Sequence, residues 1–553
     1  MGIPSYYKKL IDTVPGLVVN SGVTSVTNDI EWLFMDYNCL IYHCLHREDT
    51  PVYAHNESWE SQFLECIVKY TLKVIKKVSP KMGVFIAIDG VVPMAKMRQQ
   101  RLRRFKSIWL TQHPEFSENK GDNTSNGPVW DRNSITPGTV FMSKLRKRLE
   151  TMIKQDGKKT WVLSSSDEPG EGEHKIIAEW RTHKYTGNFA VYGLDADLIV
   201  LTILGRELCG FDNKVWLFRE EVNAGKIAYD SVGEERFEWF SINALGDWLA
   251  AEFTGVALTG VAPRRTFILN YCFAMSVLGN DFLPGSLGLK IREDGHSELL
   301  DIIRTLTHNN IALVDPDTLQ ISYEGIKTLF TILSVNEDAH IQKYIHKKQI
   351  QQSKIRNING NTDRAEIKLG DNNWPLSHIE ENVLINGKML QSNWKETYLT
   401  HFFNGFTFNK RAIHRVCKDY LYGIQWVWAY YTGVYDNVCF NWFYAFNLPP
   451  LWVWLKDYLS ELILPEFPEN VLVRATDIRP VEQLVLVLPL ESWSLIPPCK
   501  EKRLPHLAPQ FYPSEFSFES VGKRYFWECE SMIPLPSILE VKEIIRINTN
   551  TDN

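Results

Sequence analysis

Over the first 290 residues, short unbroken apolar runs alternate with longer segments whose apolar positions recur every three or four residues. Residues 32–36 read WLFMD, 84–89 read VFIAID, 161–163 open a third run, and 189–195 read FAVYGLD. Runs this short and continuous predict strands buried on both faces. Between them, residues 59–78, 95–110, 139–154 and 171–181 carry helical periodicity. Alternation of this kind predicts an α/β fold, with a mainly parallel central sheet flanked by helices.

Further on the pattern changes. Residues 117–128 are polar and rich in Gly and Asn, and 346–374 are polar and sparsely apolar. Both read as loops, and the second as the linker between a core of residues 1–345 and a second lobe of 375–545. Residues 546–553 read as a frayed tail. The second lobe is rich in aromatics, notably between Trp426 and Trp454, where interspersed Asp, Asn and Pro favour a packed core over a membrane span.

With 553 residues the chain has room for a large catalytic core and a supporting lobe. Its net charge of −6 argues against a uniformly basic coat, so any anionic ligand must meet a local basic patch. Nine scattered cysteines with no CxxC pair fit a reducing compartment, and fit neither a disulfide scaffold nor a zinc ribbon. No apolar run approaches the ~20 residues that span a bilayer, and the N-terminus has no signal-peptide core. The expectation is a soluble intracellular protein.

Acids recur where strands should end. Asp36 closes WLFMD, Asp89 closes VFIAID, Asp195 and Asp197 form GLDAD, Glu171 and Glu173 form PGEGEHK just before a helix, and Asp281 lies in LGNDFLP. In a parallel sheet, ligands bind beyond the carboxyl ends of the strands. Seven acids gathered there repel one another unless cations join them. Carboxylate oxygens suit Mg²⁺ or Mn²⁺, and two such ions roughly 4 Å apart serve in-line phosphodiester displacement. One acid alone is more readily an ordinary surface residue; the set is not. Directly after Asp89, residues 96–106 read KMRQQRLRRFK, with six basic residues and no acid. Lys96, Gln100, Arg103 and Arg104 recur at helical spacing and can share one face, where converging donors form a phosphate pocket.

The blocks MGIPSYYKKLI, MDYNCLIYHC, AIDGVVPMAKMRQQRLRRF, NSITPGTVFM, EPGEGEHKI, VYGLDADLIVL and LGNDFLP occur in that order. Together they resemble the Xrn-type 5′-to-3′ exoribonuclease family, and weaker echoes (WVWAYYTGVYDN, PVEQLVLVLP, VGKRYFWE) continue through the second half. The resemblance implies a PIN-like, flap-nuclease-related core. It implies metal coordination by Asp36, Asp89, Glu171, Glu173, Asp195, Asp197 and Asp281, and a 5′-phosphate pocket of Lys96, Gln100, Arg103 and Arg104. Lys96 would also neutralise transition-state charge. The family places a base-stacking His where Tyr42 stands here, followed by His43, so Tyr42 is the stacking candidate, with Trp527 as the second. The YPYHYAP-like block of the family is reduced to FYAFNLPPL.

The function so implied is magnesium- or manganese-dependent hydrolysis of 5′-monophosphorylated single-stranded RNA to nucleoside 5′-monophosphates. The expected enzyme holds two ions, is processive and serves mRNA decay. It is expected to be monomeric and cytoplasmic, with a nuclear location left open, and supplied by decapping machinery. Two rivals remain: a DNA-directed 5′ exonuclease or flap endonuclease on the same core, and an inactive RNA-binding scaffold.

Overall fold

A computed structural model of the chain describes residues 5–20, 26, 29–47, 49–53, 57–113, 130–157, 159–210, 212–223, 226–251, 261–358, 367–403, 405–433, 438–465 and 473–550. The expected loop at 117–128 lies outside these residues. The central sheet has seven strands: β1 (Val18–Asn20), β2 (Ile30–Asp36), β3 (Gly83–Ala87), β4 (Thr160–Ser164), β5 (Asn188–Tyr192), β6 (Val215–Glu220) and β7 (Phe237–Ser241), in the order β1-β7-β6-β5-β2-β3-β4. From β6 to β4 all pairings are parallel, and β7 runs antiparallel to both β6 and β1.

Because side chains alternate along a strand, β2 and β3 feed two cores. Phe34 and Phe85 point into one, with Ile176, Trp180 and Leu198. Leu33, Met35, Val84 and Ile86 point into the other, with Phe63, Ile67, Leu145 and Leu149. The covering helices are α1 (Tyr37–Leu45) after β2, α2 (Glu57–Val78), α3 (Met94–Gln112) after β3, α4 (Val140–Gln155), α5 (Gly172–Thr182) after β4 and α6 (Asp197–Cys209) after β5. Helices α2, α3, α4 and α5 stand where the periodicity predicts, and α1 and α6 are two more that it did not mark.

The first core continues without a break into helices from the rest of the chain: α7 (Val261–Ala274), α8 (Gly295–His308), α9 (Tyr323–Val335), α10 (Glu337–Ile358), α11 (Lys410–Thr432) and α12 (Trp452–Glu461). Residues 346–358, read from sequence as the start of a linker, continue helix α10. This part of the helix is held by polar contacts that periodicity does not register. Lys348 and Glu381, both fully buried, pair at 2.8 and 2.9 Å, and Gln352 donates to the Leu376 carbonyl at 2.6 Å. Residues 359–366 lie outside the described residues, and Trp374 packs against Phe526. The aromatic stretch is core: Trp426, Trp428, Trp452 and Trp454 are all buried, and no described helix is long and apolar enough to cross a membrane. A third core joins Met94, Met97 and Phe105 of α3 to Leu484 and Leu486 of α13 (Pro480–Val487) and Ile538 of α14 (Ile538–Asn550).

Candidate metal centre and active site

The parallel strands end together, and their carboxyl edge delivers the acids. Asp36 is the last residue of β2 and the N-cap of α1; Asp89 lies two residues past β3; Glu171 is the N-cap of α5 and Glu173 lies in its first turn; Asp197 begins α6. Neither capping acid spends its side chain on its own helix. Three helix N-termini thus face the acids, and their dipoles offset part of the repulsion. Gly172 allows the approach: a β-carbon there would stand 2.6 Å from Asp36 Oδ1 and 2.9 Å from the Ala87 carbonyl.

Ligand atoms of Glu173, Asp195 and Asp197 lie within 4.8 Å of one another, as do those of Glu171, Glu173 and His174. Asp36, Glu171, Glu173 and Asp197 are buried, whereas Asp195 is exposed. Asp281 arrives from a loop after α7, and Lys96 of α3 bridges it to Glu171, at 2.8 Å and 2.6 Å respectively. Asp89 is fixed by its neighbours: Asn38 Nδ2 donates to Oδ2 at 2.8 Å, the Gly172 amide to Oδ1 at 2.7 Å, and the Asp89 amide returns a bond to Asn38 Oδ1 at 3.2 Å. Tyr430 of α11 donates to Glu171 Oε1 at 3.0 Å and lays its ring 3.8 Å from that of His174. The second half of the chain therefore forms part of the site wall.

Burial, joined by Asp89, Asp195 and Asp197, pushes the Asp36 carboxyl well above its usual range. Burial and Asp197 do the same to Glu173, and burial with Asp281 pushes Asp197 up to about 7. Burial also works against Asp281, but Lys96 and Arg103 outweigh it and hold that carboxyl at about 2. Lys96 is desolvated too, yet Asp281, Glu171 and Glu173 keep its ammonium firmly charged. One ammonium does not neutralise so many carboxylates, so the cluster attracts further cations. Asp197 Oδ1 is buried with no hydrogen-bond partner. Unpaired hard oxygen donors at this spacing fit a divalent cation of the magnesium type.

The four residues expected to hold a 5′-phosphate take different positions. Lys96 sits among the acids. Arg103 is exposed and lines a cavity of about 510 Å³ that also meets Asp281 and Trp527. Gln100 is buried and accepts from Gln483 Nε2 at 3.3 Å. Arg104 is buried close to Tyr42 and Asp131, with one guanidinium nitrogen unpartnered. Trp527 is 44% exposed and stacks on Tyr525, whereas Tyr42 is half-buried against the second core. His43 is hydrogen-bonded to the buried Glu235 at 3.0 Å, with its ring 4.7 Å from that of Tyr70. Sequence reasoning passed over Asn38, His174 and Tyr430. Asn38 and His174 lie inside the quoted motifs, two residues after Asp36 and one after Glu173; Tyr430 lies inside the weaker echo WVWAYYTGVYDN, 259 residues from its partner, where nothing local ties it to the acids.

Fold and site together define an α/β protein with a buried polycarboxylate centre at the carboxyl edge of its sheet. Two family models match this chain: "XRN 5'-3' exonuclease N-terminus" over residues 1–221 and "Xrn1 helical domain" over residues 377–544. The chain is similar to the 5'-3' exoribonuclease 1 of Schizosaccharomyces pombe, at 24% identity over 97% of this chain and 47% of that protein. It is likewise similar to the 5'-3' exoribonuclease 2 of Gallus gallus (24% identity, 97% and 68%) and the 5'-3' exoribonuclease 1 of Homo sapiens (26%, 97% and 33%). The chain thus spans about half the length of the first of these relatives and a third of the human one. It belongs to the XRN 5′-to-3′ exonuclease family.

Proposed function

We propose that this protein is a divalent-metal-dependent 5′-to-3′ exoribonuclease acting on RNA with a 5′-monophosphate. The observation that carries this reading is the buried, cation-poor carboxylate cluster bridged by Lys96 and opening beside a basic cavity. Glu173, Asp195 and Asp197 would hold one Mg²⁺ or Mn²⁺, with Asp36, Asp89, Glu171 and Asp281 completing a site for a second. Such ions, when bound, supply Lewis acidity for phosphodiester displacement.

The chain's own residues do the rest. Asn38 and Gly172 fix the direction of the Asp89 oxygens. Lys96, held charged by its acids, offers a positive point to the phosphate as charge builds on it. Arg103, on the cavity wall, meets the 5′-phosphate, with Gln100 and Arg104 shaping the floor behind it. Trp527 supplies a π-face for a base, and Tyr42 another. Water, with no side chain as nucleophile, would attack the scissile phosphorus and the 3′-oxygen of the terminal nucleotide would leave, so the products are nucleoside 5′-monophosphates, and repeated release permits processive decay of mRNA. A decapping or pyrophosphate-removing reaction would supply the substrate.

The test is a panel of 5′-monophosphate RNA, 5′-triphosphate RNA and matching DNA, each incubated with Mg²⁺ or EDTA. Mononucleotide release from the first alone, with Mg²⁺ alone, supports the reading. Cleavage of the DNA at an equal rate, or release in EDTA, overturns it. The Asp195→Ala, Asp197→Ala double variant should bind the RNA and release nothing; substantial Mg²⁺-dependent release by it would remove these acids from the centre.

A further inference from the structure

The cavity lined by Arg103 and Trp527 continues to a group of side chains that the reaction above leaves unused. Nine lysines and arginines line it against four acids. Each of those acids already has a cation: Lys96 at 2.8 Å from Asp281, Lys347 at 2.6 Å from Glu293, Arg292 at 2.7 Å from Glu528 and Arg98 at 3.6 Å from Glu530. The wall therefore carries surplus positive charge. Lys290 donates to the Gly522 carbonyl at 2.7 Å and Arg524 to Asn373 Oδ1 at 3.3 Å, both neutral acceptors, so among the described residues neither side chain is hydrogen-bonded to a carboxylate.

The same wall holds buried donors without hydrogen-bond partners among the described residues: Tyr344 Oη, Arg524 Nε and Asn280 Nδ2. Tyr344 is only 6% exposed, and Lys290 Nζ lies 5.1 Å from its ring centroid. Folded proteins rarely leave buried donors unpaired. Unpaired donors beside cations that hydrogen-bond only neutral acceptors are what phosphate oxygens satisfy. The cavity also holds the stacked pair Tyr525 and Trp527, whose ring centroids are 6.1 Å apart, with Arg292 5.3 and 5.5 Å from them. Aromatic faces beside a basic wall suit a single strand, in which base and phosphate alternate.

We propose that Lys290, Tyr344 and Arg524 form a subsite for a phosphate of the RNA strand other than the 5′-terminal one. The inference rests on the exoribonuclease reading and adds a length requirement to it. A dinucleotide engages Arg103 and the carboxylate centre but stops short of this wall; a longer strand reaches both.

The experiment measures binding in EDTA of two 5′-monophosphorylated RNAs, two and eight nucleotides long, to the full chain. The variants are Tyr344→Phe, which removes only the hydroxyl, and Lys290→Met and Arg524→Gln, which remove charge at near-constant volume. The charge-removing variants are expected to lose about tenfold in affinity for the eight-nucleotide RNA, the loss of one charge-assisted contact. Tyr344→Phe should lose less, and dinucleotide affinity should stay at the wild-type value for all three. Equal losses at both lengths, or no loss at either, overturn the subsite. The melting temperature of each variant without RNA separates misfolding from lost contact, and Tyr344→Phe keeps the test open if a charge variant fails to fold. Failure of the underlying reading looks different: wild-type protein then releases no mononucleotide from either RNA when Mg²⁺ is added.

Discussion

Asp89 shows how much of a metal centre lies outside its acids. Two donors take one lone pair on each of its oxygens and leave the others pointing into the cluster. Bonds to a charged acceptor are worth about 1.5–3 kcal/mol, and losing a partner that orients a ligand costs about 10–100-fold in metal affinity. Asn38→Ala should therefore weaken Mn²⁺ binding in that range, read by calorimetry without RNA, while the metal-free melting temperature moves little. Wild-type affinity in the variant would mean that Asp89 needs no such clamp. Asp36, Asp89, Asp195 and Asp197 were legible in the sequence because each closes a strand or follows one by at most a few residues, whereas Glu171, Glu173 and Asp281 stand out only through their EGE and GND motifs. The grouping of Lys96, Gln100, Arg103 and Arg104 on one helical face was legible too. Their separate fates were not, since those depend on which distant element covers each side chain. Arg103 is exposed and Arg104 buried. Arg103→Ala should cut the preference for 5′-monophosphate over 5′-hydroxyl RNA by at least about tenfold at an unchanged melting temperature. Arg104→Ala should lower the melting temperature as well, because it empties a packed position. If Arg103→Ala keeps the wild-type preference, the 5′-phosphate lies elsewhere.

Elements are tied together here by buried polar chains as much as by apolar faces. The hydroxyl of Tyr6, on the N-terminal helix Tyr6–Thr13, bonds that of Tyr271 on α7 at 2.5 Å, and Tyr271 bonds His296 Nε2 on α8 at 2.9 Å. All three side chains are buried. Burial, with a smaller contribution from Lys9, pushes the His296 imidazole down to about 4. In the unfolded chain it titrates near 6.5. A depressed folded value means that the unfolded state takes up the proton first, so stability is complete above about 6.5 and declines as pH falls toward 4. His296→Gln keeps a neutral partner for Tyr271 without this proton. The stability gap between wild type and variant should therefore narrow by up to about 2 kcal/mol between pH 7 and pH 5, measured by denaturant melts at each pH. A gap that stays constant would mean that His296 is already charged in the fold. Helix α10 makes the matching point about legibility: its polar run after residue 346 reads as a linker because the Lys348–Glu381 pair that anchors it joins residues 33 apart.

At the scale of the whole molecule, helix α3 is the shared member between the sheet and the second half of the chain. A run with six basic residues reads as a solvated or ligand-binding face, yet Arg101 is fully buried with no exposed surface and Lys106 nearly so. Arg101 donates to three backbone carbonyls: Pro534 at 3.1 Å, Leu486 at 2.7 Å and Phe511. Its guanidinium also lies 4.5 Å from the Phe105 ring and 5.4 Å from that of Tyr512. Burial lowers its pKa only to about 10, so it remains charged at neutral pH. Lys106 repeats the device with the carbonyls of Phe526 and Cys529. The helix that carries Lys96 into the carboxylate centre is thus clamped from behind by the second half of the chain, and the two halves are expected to unfold as one cooperative unit. Wild type should melt in a single transition that far-ultraviolet circular dichroism and tryptophan fluorescence report together. Arg101→Met keeps the volume but strands three buried carbonyls, each at a cost of about 1–3 kcal/mol, so stability should fall by at least about 3 kcal/mol. Arg101→Lys should recover only part of this, because one ammonium does not span three carbonyls as a guanidinium fork does. Loss of the clamp should also lower Mg²⁺-dependent turnover below the melting point, since Lys96 sits five residues away on the same helix. A methionine variant that melts within a degree of wild type and turns over normally would show that the apolar contacts of Met94, Met97 and Phe105 hold the halves together unaided.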